Sequence, residues 1–427
     1  MLHRIKRQVL PYLWLLSLLT VVSCRAAEPQ AQPRSASLAV LESFKGRVAV
    51  AREDVPQIIK AAEAAAERMV SNPDALINVP YAPQPSFAEE IVNRSGGLAA
   101  ALPPEERWRE TTDHDVLLFS VRSWEKDAPK TLDVLKDARK RGWLIVLFAS
   151  KAGAPKELDV DYLVDNGASG GGASEAPMNA IANCLNAWLW HCEYAAALTR
   201  RGKCPGILKS IALPDGAQYD GPLQTRRGRH WMGECNTPIE PGKLAQTYLK
   251  RVDELVAALG GERTQGQIDK AAEIISERMA TGRTVGVATC THVLMSEIFL
   301  DTRSPWKPFN VVWHAKVAFR ENVKKGDLLV WFGYIGSSTV LEDYDRYIRE
   351  TGADVVTCFV RDENESNNAP EALAHIDQSW VKGDAEVAIP FAPGRMAPVS
   401  GLDQGLLFRM LDAAVAERIG RAKATRE

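Results

Sequence analysis

No two of the seven cysteines stand in C-x-x-C spacing, and the chain contains no H-E-x-x-H stretch, no Walker loop and no histidine cluster with ligand spacing. Zinc-ribbon, dithiol-redox, zincin and P-loop chemistry are excluded on that ground, and neither a metal nor a nucleotide cofactor is implied. Charge of one sign is equally lacking. The 52 Lys and Arg against 54 Asp and Glu leave a formal net charge of −2, which argues against a broad nucleic-acid surface.

What is present begins with residues 1–24, "MLHRIKRQVLPYLWLLSLLTVVSC". Arg4, Lys6 and Arg7 precede an apolar stretch from Val9 to Val22, the charged and hydrophobic regions of an export signal and too short to span a bilayer as a stable helix. The ending "VVSC" resembles the bacterial lipobox, after which Cys24 would carry the lipid and anchor the chain to a membrane. Cleavage at Ala26 or Ala27, giving a soluble secreted form, is the alternative. An exported protein, periplasmic or membrane-anchored, is therefore expected. Residues 25–40 are rich in Pro, Ala, Gln and Ser and read as a disordered tether, with folding expected to begin near Leu38. Of the remaining cysteines, Cys184 and Cys192 are too far apart along a predicted helix to bridge, and an oxidising compartment would permit a disulfide such as Cys204 to Cys235.

One pattern is written twice, at a spacing of about 210 residues. "DVLLFSVRSWEKDAPKTLDVLKDARKRGWLIVLFAS" from Asp115 and "DLLVWFGYIGSSTVLEDYDRYIRETGADVVTCFVRD" from Asp327 each hold an Asp-led apolar strand, a polar turn, a charged amphipathic helix stopped by Gly142 or Gly352, and a second apolar strand. Upstream, a strand, a hydroxyl-bearing loop and a helix recur with Glu90-Ile91 in one copy and Glu297-Ile298 in the other. Earlier still come helices ending in Arg-Met, from Ile58 and from Ile268. Downstream, helices open with Pro from Ala176 and from Ala397. The expected fold class is α/β: two tandem αβα sandwich domains with mainly parallel sheets, at 41–215 and 244–427. Residues 216–243, dense in Gly, Pro and Arg, read as the connector, and "QTRRGRH" from Gln224 as a solvated loop or an acidic-ligand contact.

This order of elements resembles the sugar isomerase (SIS) domain, over roughly Val55 to Leu198 and Gly266 to Ile419. The resemblance implies a Ser-x-Ser-Gly-x-Thr turn at a helix start that holds a sugar phosphate, a place where unpaired amides and the helix dipole favour an anion. The second copy matches in part: Gly336 takes the glycine position and Ser338 the threonine, while Gly333 and Ile335 replace the leading serines. The first copy keeps Ser120 but lacks the glycine, and Arg122 is the side chain there able to grip an anion.

The expected ligand-binding residues are accordingly Gly336, Ser337, Ser338 and Thr339 in copy two, Ser120 and Arg122 in copy one, and Ser86, Thr289 and Thr291 after the first strands. The alternative for the Gly336–Thr339 turn is a plain helix cap. Asn179, Asn183 and Asn186 share one helix face and either line a polar pocket or cap neighbouring backbone. His191, His292 and His314 are the acid/base candidates, each weighed against burial in the core.

Recognition of a sugar phosphate or amino-sugar derivative is thus expected, by binding in preference to catalysis, with no nucleic-acid partner and with a homodimer open. The alternatives are an aldose–ketose isomerase, a two-lobed solute receptor whose chain would cross between lobes more than once, and a structural domain with no ligand.

Overall fold

The computed structural model describes residues 35–102, 111–170, 172–210, 213–224, 230–289, 296–297, 307–310, 323–333, 348–360, 372–380, 384–390 and 394–424. The first half runs α1 (Ala36–Ser71), β1 (Ile77–Asn78), α2 (Pro85–Ile91), β2 (Ala101–Leu102), β3 (Val116–Ser120), α3 (Trp124–Lys140), β4 (Leu144–Ala149), β5 (Tyr162–Asp165) and α4 (Ala176–Arg200). A ribbon follows, with β6 (Lys203–Pro205), α5 (Gly216–Gln224) and β7 (Trp231–Glu234). The second half continues with α6 (Lys243–Gly260), α7 (Glu262–Ala280), β8 (Val285–Thr289), β9 (Lys307–Asn310), β10 (Leu328–Phe332), β11 (Asp354–Phe359), β12 (Ala374–Asp377), β13 (Ala385–Ala388), β14 (Arg395–Pro398) and α8 (Ser400–Ala424).

The two main sheets are parallel throughout and share one plan. The first has the order β2-β1-β3-β4-β5, and the second, β9-β8-β10-β11-β12, repeats it strand for strand. Each is drawn from one continuous stretch of chain. The apolar runs explain the layering, because successive side chains of a strand point to opposite faces and both faces are covered. Val116 and Leu118 face a core shared by both halves, while Leu117 and Phe119 pack with Trp124 and Leu135 of α3. In β10, Leu328, Val330 and Phe332 enter the shared core, and Leu329 and Trp331 face outward to Ile348 and Phe359.

α4 sits in the middle of that core. Its face pattern is apolar almost all round, and Trp188, Trp190 and Tyr194 are wholly buried, as expected for a helix enclosed by protein. α1 packs along α4 and α8, and α8 packs along α7. The aspartates heading β3 and β10 do the same work in both halves. Asp115 accepts the Leu76 amide at 3.0 Å, and Asp327 accepts the Thr284 amide at 3.2 Å, each tying the start of the third strand to the segment before the first. Gly142 and Gly352 end their helices at φ +78° and +67°, a conformation open to glycine at little cost.

Two expectations fail here. The tether does not extend to residue 40: α1 begins at Ala36, and Leu41 and Phe44 are already fully buried. The helix expected from Ile58 is only the second part of α1, which runs through Pro56. The 216–243 connector holds α5 and β7, and β7 pairs antiparallel with β6. His230 anchors its end, its ring bonded to Tyr194 and to the Ala75 carbonyl.

Candidate functional site

In open sheets of this strand order, ligands bind beyond the C-terminal ends of the strands, at the point where the order reverses. In the first half that point lies between β1 and β3. The segment after β1 carries Gln84 and, on α2, Ser86, Glu89 and Glu90; the segment after β3 carries Val121, Arg122 and Ser123.

Two residues of the second half, Ser296 and Glu297, complete this edge. Ser86 Oγ donates to Glu297 Oε1 at 2.6 Å, and Arg122 Nη1 donates to Glu297 Oε2 at 3.3 Å. Ser296 Oγ in turn donates to Glu89 Oε2 at 2.5 Å. The contacts are reciprocal, a serine of each half on a glutamate of the other. Glu297 is 3% exposed, so its charge is held by a cation and a hydroxyl instead of water. Burial raises the proton affinity of Glu89 above that of an ordinary carboxylate; the Ser296 bond opposes this and the nearby Glu297 charge adds to it.

α4 fixes the loops beneath. Asn183 Nδ2 donates to Gln84 Oε1 at 2.9 Å and to the Val121 carbonyl at 3.0 Å, and Asn183 Oδ1 accepts from Asn166 at 3.0 Å. Asn179 Nδ2 holds the Arg122 carbonyl at 2.8 Å, and Asn186 holds the Asp165 carbonyl at 2.8 Å. Of the two roles open to this amide stripe, the donors serve as backbone caps. Asn179 Oδ1 and Arg122 Nε stay buried without a hydrogen-bond partner, two polar atoms left over beside the edge.

The second half repeats this latch. Gln404 Nε2 donates to the Gly333 carbonyl at 3.4 Å, as Asn183 does to Val121, and to Gln378 Oε1 at 3.0 Å, where in the first half Asn183 instead accepts from Asn166. Counted from Ala176 and Ala397, Asn183 and Gln404 occupy the same position.

A second cluster lies directly behind the edge. Glu90 is completely buried, accepts the Trp188 indole N–H at 2.9 Å, and has its other oxygen 3.8 Å from Arg94 Nε. Arg94 pairs with Asp384, which also accepts the Ser400 hydroxyl at 2.6 Å. Burial pushes the Glu90 carboxyl up to about 7, against the lowering influence of Arg94.

The residues expected from sequence fall into three groups. Ser86 and Arg122 are brought together by Glu297, with Asn179 and Asn183 supporting them, and Ser120 is buried at the end of β3. His191 is wholly buried on α4 against Trp188 and Trp190; its Nδ1 bonds the Ala187 carbonyl at 2.8 Å, and burial lowers its proton affinity to about 4, the placement of a core histidine. Thr289 closes β8. Cys24, Thr291, His292, His314, Gly336, Ser337, Ser338, Thr339 and the arginines of "QTRRGRH" lie outside the described residues. Gln84, Glu89, Ser296 and Glu297 were not anticipated. The signal for the last of these was the recurring Glu-Ile pair, which aligned the two copies without disclosing that its glutamate crosses to the other half.

No family model matches the chain, and no curated protein matches it in sequence. Solved structures do match in fold. A protein assigned as a phosphosugar isomerase from Silicibacter pomeroyi superimposes with a TM-score of 0.52 at 11% identity, over 89% of this chain and 98% of that one. The tagatose-6-phosphate ketose/aldose isomerase of Escherichia coli gives a TM-score of 0.45 at 11% identity, over 92% and 94%. One assigned to the same activity from Clostridium novyi gives 0.46 at 11% identity, over 89% of each. The chain has the sugar-isomerase (SIS) fold, carried twice as α/β units with parallel sheets.

Proposed function

We propose that the chain is an exported protein that binds a sugar phosphate or amino-sugar derivative at the edge built by Ser86, Glu89, Arg122, Ser296 and Glu297. The supporting observation is the convergence of these side chains from two halves on the switch point of the first sheet, with Asn179 Oδ1 and Arg122 Nε unpartnered beside them. Burying such groups costs free energy unless a ligand or water meets them. The Gly336–Thr339 turn is the corresponding candidate in the second half. Two SIS-type units, the first opening with α1 and the second with α6, pack as an internal pseudo-dimer in this reading, and Cys24 carries the anchor. Sheets drawn each from one continuous stretch favour this over a receptor with interleaved lobes. The test is a thermal-shift series with phosphorylated and N-acetylated sugars on the mature chain, since a ligand of the folded state alone raises the midpoint by mass action. Metabolic labelling with a fatty acid, in the native chain and in Cys24→Ala, tests the anchor.

One observation favours aldose–ketose isomerisation as a second reading. Glu89, with its raised proton affinity and Glu297 close by, is suited to carry a proton between adjacent sugar carbons. Incubation in deuterated water with a ketose phosphate checks this by NMR: isomerase action places deuterium on the carbon next to the carbonyl, and binding alone does not.

A further inference from the structure

Cys184, Cys192 and Cys358 are fully buried members of the core and behave as small apolar side chains. Cys204 and Cys235 are placed differently. Cys204 lies on β6 and is half-buried, and Cys235 follows directly on β7 at 7% exposure. β6 and β7 form an antiparallel ribbon of two strands, with Cys204 opposite Gly233 and the Cys235 amide bonded to the Gly202 carbonyl at 2.8 Å. Counting along the ladder, Cys235 stands two residues beyond the partner of Cys204, so both side chains leave the same face as diagonal neighbours. The positions facing them, Gly202 and Gly233, carry no side chain to intervene.

A two-stranded ribbon is marginal by itself, and this one closes the whole segment between the two halves. Diagonal neighbours have Cα atoms roughly 7–8 Å apart in a regular ladder, against about 4.4–6.8 Å for a disulfide, so closure needs a tightening of about 1–2 Å. The pairing is already irregular at this point, with a register shift between Cys204 and Pro205, and Cys235 is the first residue past its strand. The geometry points to a disulfide between Cys204 and Cys235, formed when the chain meets a thiol-oxidising compartment. The oxidant is a small or protein disulfide. The more exposed Cys204 thiolate attacks it and releases one thiolate; Cys235 then attacks the Cys204 sulfur of the mixed disulfide and releases the second. Two thiol protons are lost, and the two electrons leave on the cleaved disulfide of the oxidant.

The test uses the full chain, purified reduced, incubated with glutathione disulfide at about pH 8, where thiolate is more abundant, then alkylated in denaturant, digested with trypsin and analysed by mass. The expected product is Cys204–Lys209 joined to His230–Lys243, about 2 Da lighter than the two thiol peptides together and absent after reduction. In Cys204→Ser the joined species disappears and Cys235 becomes alkylatable. Recovery of both thiols alkylated, of separate glutathione adducts on each, or of either cysteine joined to a different one, overturns the assignment.

Discussion

Ser86 and Glu297 stand 211 residues apart in sequence and share a hydrogen bond of 2.6 Å. That separation is close to the repeat length itself, so the contact joins the helix start of one copy to the matching helix of the other. Glu297 also neutralises Arg122, and its removal strands a guanidinium and a hydroxyl in a nearly closed place. Loss of one partner of a buried pair costs about 3–5 kcal/mol, and the partial exposure of Arg122 puts this case at the lower end. Glu297→Ala should therefore lower the unfolding free energy by about 3 kcal/mol in a urea titration, and Glu297→Gln, which keeps a hydrogen-bonding group, by about 1 kcal/mol.

Glu90 makes stability depend on pH. Its carboxyl titrates at about 7 in the fold against 4.5 for a solvated glutamate, so the folded state holds the proton more tightly than the unfolded chain. This stabilisation is complete below pH 4.5, declines as pH rises through about 7, and is gone above that. Burial raises Asp403 to about 7 as well, with the same sign. Glu90→Gln should remove most of one such slope, about 3 kcal/mol between the ends of the window. Urea midpoints at both ends, in the native chain and the variant, measure it. A variant that keeps the full native slope would assign the dependence elsewhere.

Gly401 is the floor on which Glu90 rests. A Cβ at this position would lie 2.6 Å from the Glu90 carboxyl carbon. Gly401→Ala should cost about 1–3 kcal/mol through this collision. In a Glu90→Ala background the same change should cost markedly less, and the double-mutant cycle reads the coupling directly.

The two amide latches occupy matching positions but should differ in cost. Asn183→Leu removes bonds to Gln84, Val121 and Asn166, and Gln404→Leu removes those to Gln378 and Gly333. Asn183→Leu leaves the buried Asn166 and Gln84 amides short of a partner and should cost about 2–3 kcal/mol. After Gln404→Leu the Gly333 carbonyl still accepts from Gln378 and Gln378 Oε1 still accepts from Trp380, so that change should cost about 1 kcal/mol. Unfolding titrations of both variants give the comparison; a loss at Gln404→Leu equal to or larger than that at Asn183→Leu would contradict this ranking.

The strands and the order in which they occur could be read from the chain because enclosed parallel strands write continuous apolar runs, as in Val116–Ser120 and Leu328–Phe332. The glycine stops and the leading aspartates were visible for the same reason: each answers a local backbone demand. The start of α1 was hidden by Ala, Ser and Pro, whose composition matches a tether, while the large apolar residues of its buried face come later, at Leu41, Phe44 and Val48. β7 was hidden among Gly and Arg, because a two-stranded ribbon needs no apolar period. At the site, Ser86, Arg122 and the asparagines could be picked out by chemistry. Their gathering point could not, since Glu297 arrives through the docking of the two halves, which no local pattern records.

The most direct measurement of the central claim is the shift in thermal midpoint of the native chain and of Arg122→Ala across phosphorylated and N-acetylated sugars. A composite sugar site predicts that at least one of these ligands raises the native midpoint in a concentration-dependent way and that the rise is lost in the variant. No shift with any of them, or an equal shift in Arg122→Ala, would contradict it.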